Sequence, residues 1–496
     1  MRHIVPSLPL AALVMALGTG ILANDAAAAS LVMGIQQEPT SLDPTSDATA
    51  SIDGMLTQNV YESLTTVNEK GEVLPQLAES WTVSDDGLTY VFKLVQGTKY
   101  HDGTDFNADD VKFSFDRAMA EGSTNPTKSI FAPIASVTVI DPNTVEIKLK
   151  KKDAFFLFNM AQGDASIVAS ETAEGNATTP VGTGPFKYAA WTRGDRLTLE
   201  KNADYRSAGT VALDKIEFRF IPDAAAASAA LLAEELDIYA GFPAPEMLPQ
   251  FQADPRFDVT IGSTEAEVIL AMNNSKPPFN DLRVRKGISH AIDREELIDG
   301  AMYGQAVPIG SFYPPHGPAY VDLTGMYPHD AAKAKELFKE AGVEGSTMTL
   351  RVPPFSYATR SAEIIQAQLA EAGITVKVEN VEWGFWLDEI YKKLNYDMTI
   401  ISHPGPNDMG NFARGPKYFY GYDDASYNDL WKQISEETDA DTRIELLKKG
   451  QTHLAENAVH GFLFQLPQVN IQKKGITGLW ASRPVLFQPL AGVKVE

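Results

Sequence analysis

The chain of 496 residues carries 42 Lys and Arg against 65 Asp and Glu, a formal net charge of -23, and it contains 0 Cys. So acidic a balance disfavours nucleic acid and anionic lipid as partners, and a chain without cysteine has neither disulfides nor thiolate metal sites. A single core stops growing at roughly 250–300 residues, so at least two lobes are expected, held together by burial alone.

Residues 1–29 read as a secretory signal peptide. Met1-Arg2-His3 is a short basic start, Leu8–Ala23 is apolar, and small residues end in Ala26-Ala27-Ala28-Ala29. The expected mature chain begins near Ser30 and is soluble, with no Cys at the junction to carry a lipid. From Leu31 to about Ser263 short alternating strands dominate. Leu88–Leu94 places Tyr90, Phe92 and Leu94 on one face, and Asp85-Asp86-Gly87 before it reads as a hairpin turn. Asn107 predicts the N-cap of a helix that buries Val111, Phe115 and Ala118. Val137–Ile140, Thr144–Leu149 and Lys215–Phe220 read as strands, and Ala224–Glu234 as a helix.

After about Glu265 the rhythm changes. Asp330 caps a helix with Ala334, Leu337, Phe338 and Ala341 inward and Gly342 as its stop. Met348–Val352 reads as a strand, Thr359 as the start of a helix ending at Gly373, and Ile374–Val378 as another strand. That succession predicts an α/β architecture with a mixed sheet. Asp441 starts a last helix with Ile444, Leu447 and Leu454 inward. The 8 His are scattered, and no HExxH, phosphate loop, acidic calcium loop or GxSxG elbow occurs. The expectation is a protein with no metal, no cofactor and no catalytic residues. A cleft hydrolase such as a peptidase is the rival.

Several blocks resemble the extracellular solute-binding proteins of the oligopeptide, dipeptide and nickel class, family 5. The strongest runs through Leu77-Ala-Glu-Ser-Trp81, Val83–Tyr90, Tyr100-His-Asp-Gly103 and Ala108-Asp-Asp-Val111 to Phe113-Ser-Phe115. Pro39–Pro44, Pro180–Phe186, Phe279–Arg285 and Ala291–Arg294 also match. The resemblance implies a two-lobed periplasmic-binding-protein type II (cluster C) fold, with mixed sheets and an extra subdomain in lobe I. Carried onto this chain, lobe I spans 30–264 with the extra subdomain within about 50–180. Lobe II spans 265–475, and 476–496 returns to lobe I. The crossings would lie in Glu265–Asn273 and Phe464–Ile471.

The implied function is that of the periplasmic component of an ABC importer. It would be a monomer that takes a small solute between the lobes and delivers it to an inner-membrane permease complex, without entering the membrane itself. A short peptide or amino-acid-derived compound is the favoured solute. An opine, a sugar, a glutathione-like conjugate or a metal chelate are alternatives, and a chemosensory or chaperone role is the remaining rival.

The family places ligand contacts after the strand Tyr396–Ile401. Here Asp408, beside Asn407, stands near the acid with which peptide-binding members receive the α-amino group; its other reading is a turn cap. His403 is a hydrogen-bonding residue of the cleft lining. Trp383 and Trp386 before the strand, and Tyr418 and Tyr420 after it, offer aromatic walls. Arg360 is the candidate for a ligand carboxylate, and Asn273, Phe312 and Tyr313 complete the set. Trp81, Tyr90, Phe92 and Phe113 are expected in the core, His101-Asp102-Gly103 in a surface turn, and Arg283, Arg285 and Asp293 in structural pairs at helix starts.

Overall fold

The computed structural model describes Met1 and residues 29–495 apart from Ala48 and Pro406. The signal peptide expected over 1–29 lies, from residue 2 to 28, outside the described residues.

Two long strands organise the molecule. Phe257–Met272 and His460–Lys473 pair antiparallel, from Phe257 opposite Lys473 to Ala271 opposite His460. Their ladder is interrupted between Ser263 and Glu267. On one side of this gap Asn470–Gln472 pair with Ile238–Ala240, and beyond it lie Ser30–Ile35, Lys215–Phe220, Arg196–Lys201 and Phe186–Thr192. On the other side Glu267–Met272 pair with Met398–His403, followed by Thr347–Val352 and Thr375–Asn380. One continuous sheet therefore serves two lobes. After the crossing, the chain pairs with the first lobe's strand Ile238–Ala240 from Asn470 onward.

Each lobe has its own core. Leu350, Val352 and Met398 of the second lobe's strands pack against Ile288, Phe338, Ile365 and Leu369 from its helices, all of them fully buried. In the first lobe Leu31, Ile216, Phe218 and Leu199 form the centre. A separate four-stranded sheet, in the order Ala78–Val83, Thr89–Leu94, Thr144–Leu149, Ile134–Asp141, covers one side. Its Phe92, Val145 and Ile147 meet Val111 and Phe115 of helix Ala108–Met119. Asn107 caps that helix, accepting from the Asp109 amide at 2.7 Å while Asp110 returns the bond to the Asn107 amide at 2.9 Å.

Asp330 likewise caps Ala331–Glu340, with Gly342 in the left-handed region at φ 72. Two starts differ from expectation. The helix expected from Thr359 begins at Ser356, after the extended Phe355, and the last begins at Ala440, capped by Asp439 rather than opened by Asp441. In both places several capping residues compete within one turn.

The glycine-rich stretch Val181–Phe186 is a packing element. A Cβ on Gly182 would lie 2.0 Å from the Val60 carbonyl oxygen, so only glycine lets the two backbones approach. The His101 ring closes the same junction: Nε2 lies 3.0 Å from the Gly184 carbonyl and Nδ1 accepts from the Gly182 amide at 3.3 Å. Burial holds its pKa down to about 4, so the ring is neutral and serves as a brace.

Candidate functional site

A cavity of about 850 Å³ lies between the lobes, within the usual range of small-molecule sites. The four-stranded subdomain supplies one wall through Asp85, Tyr90, Lys152 and Phe155, with Lys70 beside them. The second lobe supplies Phe312, Tyr313, Asn407, Asp408, Trp431 and Arg443. The crossing strand contributes Glu265 and Glu267 to the floor. The hairpin turn read from Asp85-Asp86-Gly87 is thus part of the wall, and Tyr90 faces both the core and the cavity.

Asp408 opens the short helical turn Asp408–Ala413, which follows Met398–His403 after four residues. Its carboxylate sits over Gly405, where a side chain would collide with it. Burial lifts its pKa to about 7. Glu265 adds repulsion, while the Asn411 side chain, the Gly405 amide and Arg414 pull the other way without prevailing. His403 lies behind it, Nδ1 3.7 Å from Asp408 Oδ2, with its pKa held down to about 4 by burial. Its ring is packed between Phe312 and Phe419. Asp408 therefore faces the cavity with a neutral neighbour rather than a cation.

Of the residues singled out from sequence, Asp408, Asn407, Phe312 and Tyr313 line the cavity together. The others stand elsewhere. Trp386 is buried, donates to Thr399 Oγ1 at 2.9 Å and stacks on the half-exposed Trp383. Tyr418 and Tyr420 are core, their rings 4.8 Å apart. Asn273 donates to the Leu394 carbonyl at 2.9 Å and shapes the backbone. Arg360 pairs with Glu246 of the first lobe at 2.9 Å, which makes it a bridge between lobes and not a cavity group. The cations that do line the cavity are Lys70, Lys152 and Arg443.

Sequence reading passed over Glu265 and Glu267, yet one signal was there. Glu267 is a carboxylate inside the apolar run Ala266–Met272, where a charge has no ordinary reason to be.

The lobes also touch beside the cavity. The Phe155 ring stacks on Trp431 at 5.8 Å and 12°, and the Ala154 amide donates to the Ser435 carbonyl at 2.8 Å. An aromatic pair of this kind contributes about 0.5–1.5 kcal/mol. Phe155→Ala is accordingly expected to weaken retention of the cavity's guest by roughly three- to tenfold, mainly through faster dissociation. Stopped-flow displacement measures this, and an unchanged off-rate excludes a role for the pair in closure.

Among the described residues no helix is long and apolar enough to cross a membrane, and no group of three or more His, Asp or Glu is placed to hold a metal ion.

Comparison with known proteins agrees with this geometry. The family described as bacterial extracellular solute-binding proteins, family 5 Middle, matches residues 72–429. Di/tripeptide-binding protein 1 of Pseudomonas aeruginosa is 31% identical, over 91% of this chain and 91% of its own. The glutathione-binding protein GsiB of Escherichia coli K12 is 28% identical over 94% and 95%. The periplasmic binding protein DppA of Helicobacter pylori, solved with the peptide STSA, superposes with a TM-score of 0.82 at 27% identity, over 94% of this chain and 98% of that one.

Proposed function

Because the chain belongs to the bacterial extracellular solute-binding proteins of family 5, we propose that it captures a short peptide, or another amino-acid-derived solute, by its ammonium end and hands it to an inner-membrane ABC permease. The observation that carries this reading is the Asp408 carboxyl: set in the cavity wall, lifted to about 7 by burial, and joined to no Lys or Arg by an ion pair among the described residues. An arriving ammonium gives it a charge-assisted hydrogen bond, about twice as strong as a neutral one. Lys70, Lys152 and Arg443 offer the opposite charge to the guest's carboxylate end.

The proposed working unit is an exported monomer. Its lobes, about 30–264 with 476–496 and about 265–475, turn about the gap in the crossing ladder. A guest that touches both lobes favours the closed form by the difference in its affinity for the two forms. No covalent step is needed, and the guest leaves unchanged.

Calorimetric titration with alanyl-alanine and its N-acetyl derivative tests the reading. Binding of the free dipeptide, with a loss of roughly tenfold or more on acetylation, supports it. Equal binding of the two forms removes Asp408 from its role.

A further inference from the structure

We infer that Glu267 is a second cation-receiving group of the cavity, and that the preferred guest carries two positive charges, as a peptide with a lysine-like first residue does. This rests on the peptide reading above and names the class of peptide.

Glu267 is 3% exposed and yet lines the cavity. It stands near the start of the buried half of the crossing strand, after Ala266 and before Val268–Met272, all apolar. Among the described residues no side chain donates to its carboxylate. Glu265, two residues earlier, also faces the cavity but is engaged by His316 Nε2 at 2.9 Å. Of the nearby arginines, Arg414 lies over the Tyr418 ring at 4.2 Å and Arg443 donates to the Glu437 carbonyl at 3.0 Å, and among the described residues no ion pair joins Glu267 to these or to Lys70 and Lys152 of the same lining.

Glu267 pairs across the ladder with His403, and the His403 ring in turn neighbours Asp408. The two acids therefore approach one space, Glu267 from the crossing strand and Asp408 from the helical turn that follows Met398–His403. Asp408 matches an α-ammonium, and Glu267 a second cation on the same guest. Burial pushes Glu267 well above the usual carboxylate range, and Glu265 and Asp408 push it the same way. A buried carboxyl whose one internal donor is its own backbone amide, among the described residues, is costly to ionise unless a cation comes from outside.

The test is calorimetry of the full mature chain with lysyl-alanine, norleucyl-alanine and 1,5-diaminopentane. Norleucine keeps the length of lysine and removes its charge. Wild type is expected to prefer lysyl- over norleucyl-alanine by roughly tenfold or more, and Glu267→Gln to bring that ratio within about threefold. Glu267→Asp, which keeps the carboxylate, serves as the second variant should the first fail to fold, with a preference for lysyl-alanine again expected. Equal affinities in wild type, or a ratio untouched by Glu267→Gln, overturn the inference and leave the peptide reading standing. Binding of the diamine alone, weakened in Glu267→Gln, overturns the peptide reading and keeps the second cation group. Binding of none of the three overturns both.

Discussion

Asp408→Asn is expected to weaken dipeptide capture by roughly 100-fold, about 3 kcal/mol, while making the empty protein more stable at alkaline pH. Both effects follow from one carboxyl. In the complex the substitution leaves an ammonium facing a neutral amide in a largely dry wall. In the empty protein burial outweighs the pull of Arg414 toward the ionised form. Its pKa in the folded chain is about 7 against an ordinary 3.8.

Below about pH 4 the carboxyl is protonated in folded and unfolded chains alike, so it imposes no penalty. As pH rises towards 7 the unfolded chain sheds this proton first, and folding loses stability across that window. The asparagine variant escapes the loss. With 22% of the Asp408 side chain exposed, the gain at pH 8 is about 1–2 kcal/mol. Thermal melts at pH 4 and pH 8, with and without dipeptide, read both effects. A variant that melts below wild type at pH 8 without guest contradicts the assignment.

Glu62→Gln is expected to do the reverse, lowering stability by about 2–4 kcal/mol and sparing affinity. Glu62 is fully buried and receives both Arg206 terminal nitrogens at 2.6 Å, Thr183 Oγ1 at 2.9 Å and the Tyr205 hydroxyl at 3.2 Å. The network ties the Val181–Phe186 stretch to the segment behind Val60. Neutralising Glu62 leaves the Arg206 guanidinium, itself largely buried, without its counter-charge. None of these residues lines the cavity. Denaturant unfolding measures the loss, and calorimetry on the folded protein checks that binding persists. Weakened binding at full stability would place Glu62 in the recognition machinery instead.

The contrast between these residues mirrors what was legible beforehand. Local signals were read well: Asn107 and Asp330 cap as expected, and Tyr90, Phe92 and Leu94 share the buried face. The family blocks around Trp81 and Phe113 identified a scaffold because they pack against its cores, although both rings, expected inside, are only half-buried. The cavity was harder to read. Periodicity reports burial, and a side chain buried against protein reads the same as one buried against a guest. Trp386 and Tyr420 were therefore indistinguishable in advance from wall residues. Arg360 looked like a free cation because its partner, Glu246, stands 114 positions away. Asp408 was accessible only through the likeness to relatives. Glu267 was visible as an acid among apolar neighbours, but only the sheet shows what lies opposite it.

The gap between Ser263 and Glu267 has a mechanical meaning. Rotation about a fulcrum moves atoms in proportion to their distance from it. Were the lobes to turn about this gap, Glu265 and Glu267 would sit at the fulcrum and keep nearly the same surroundings, whereas Phe155 and Trp431 would ride on separate lever arms. Contacts at the fulcrum set which guest is welcomed, and contacts between the arms set how long it stays. Selectivity and residence time are thus carried by different side chains, and exchanging the fulcrum acids would retarget the protein with its closing motion intact.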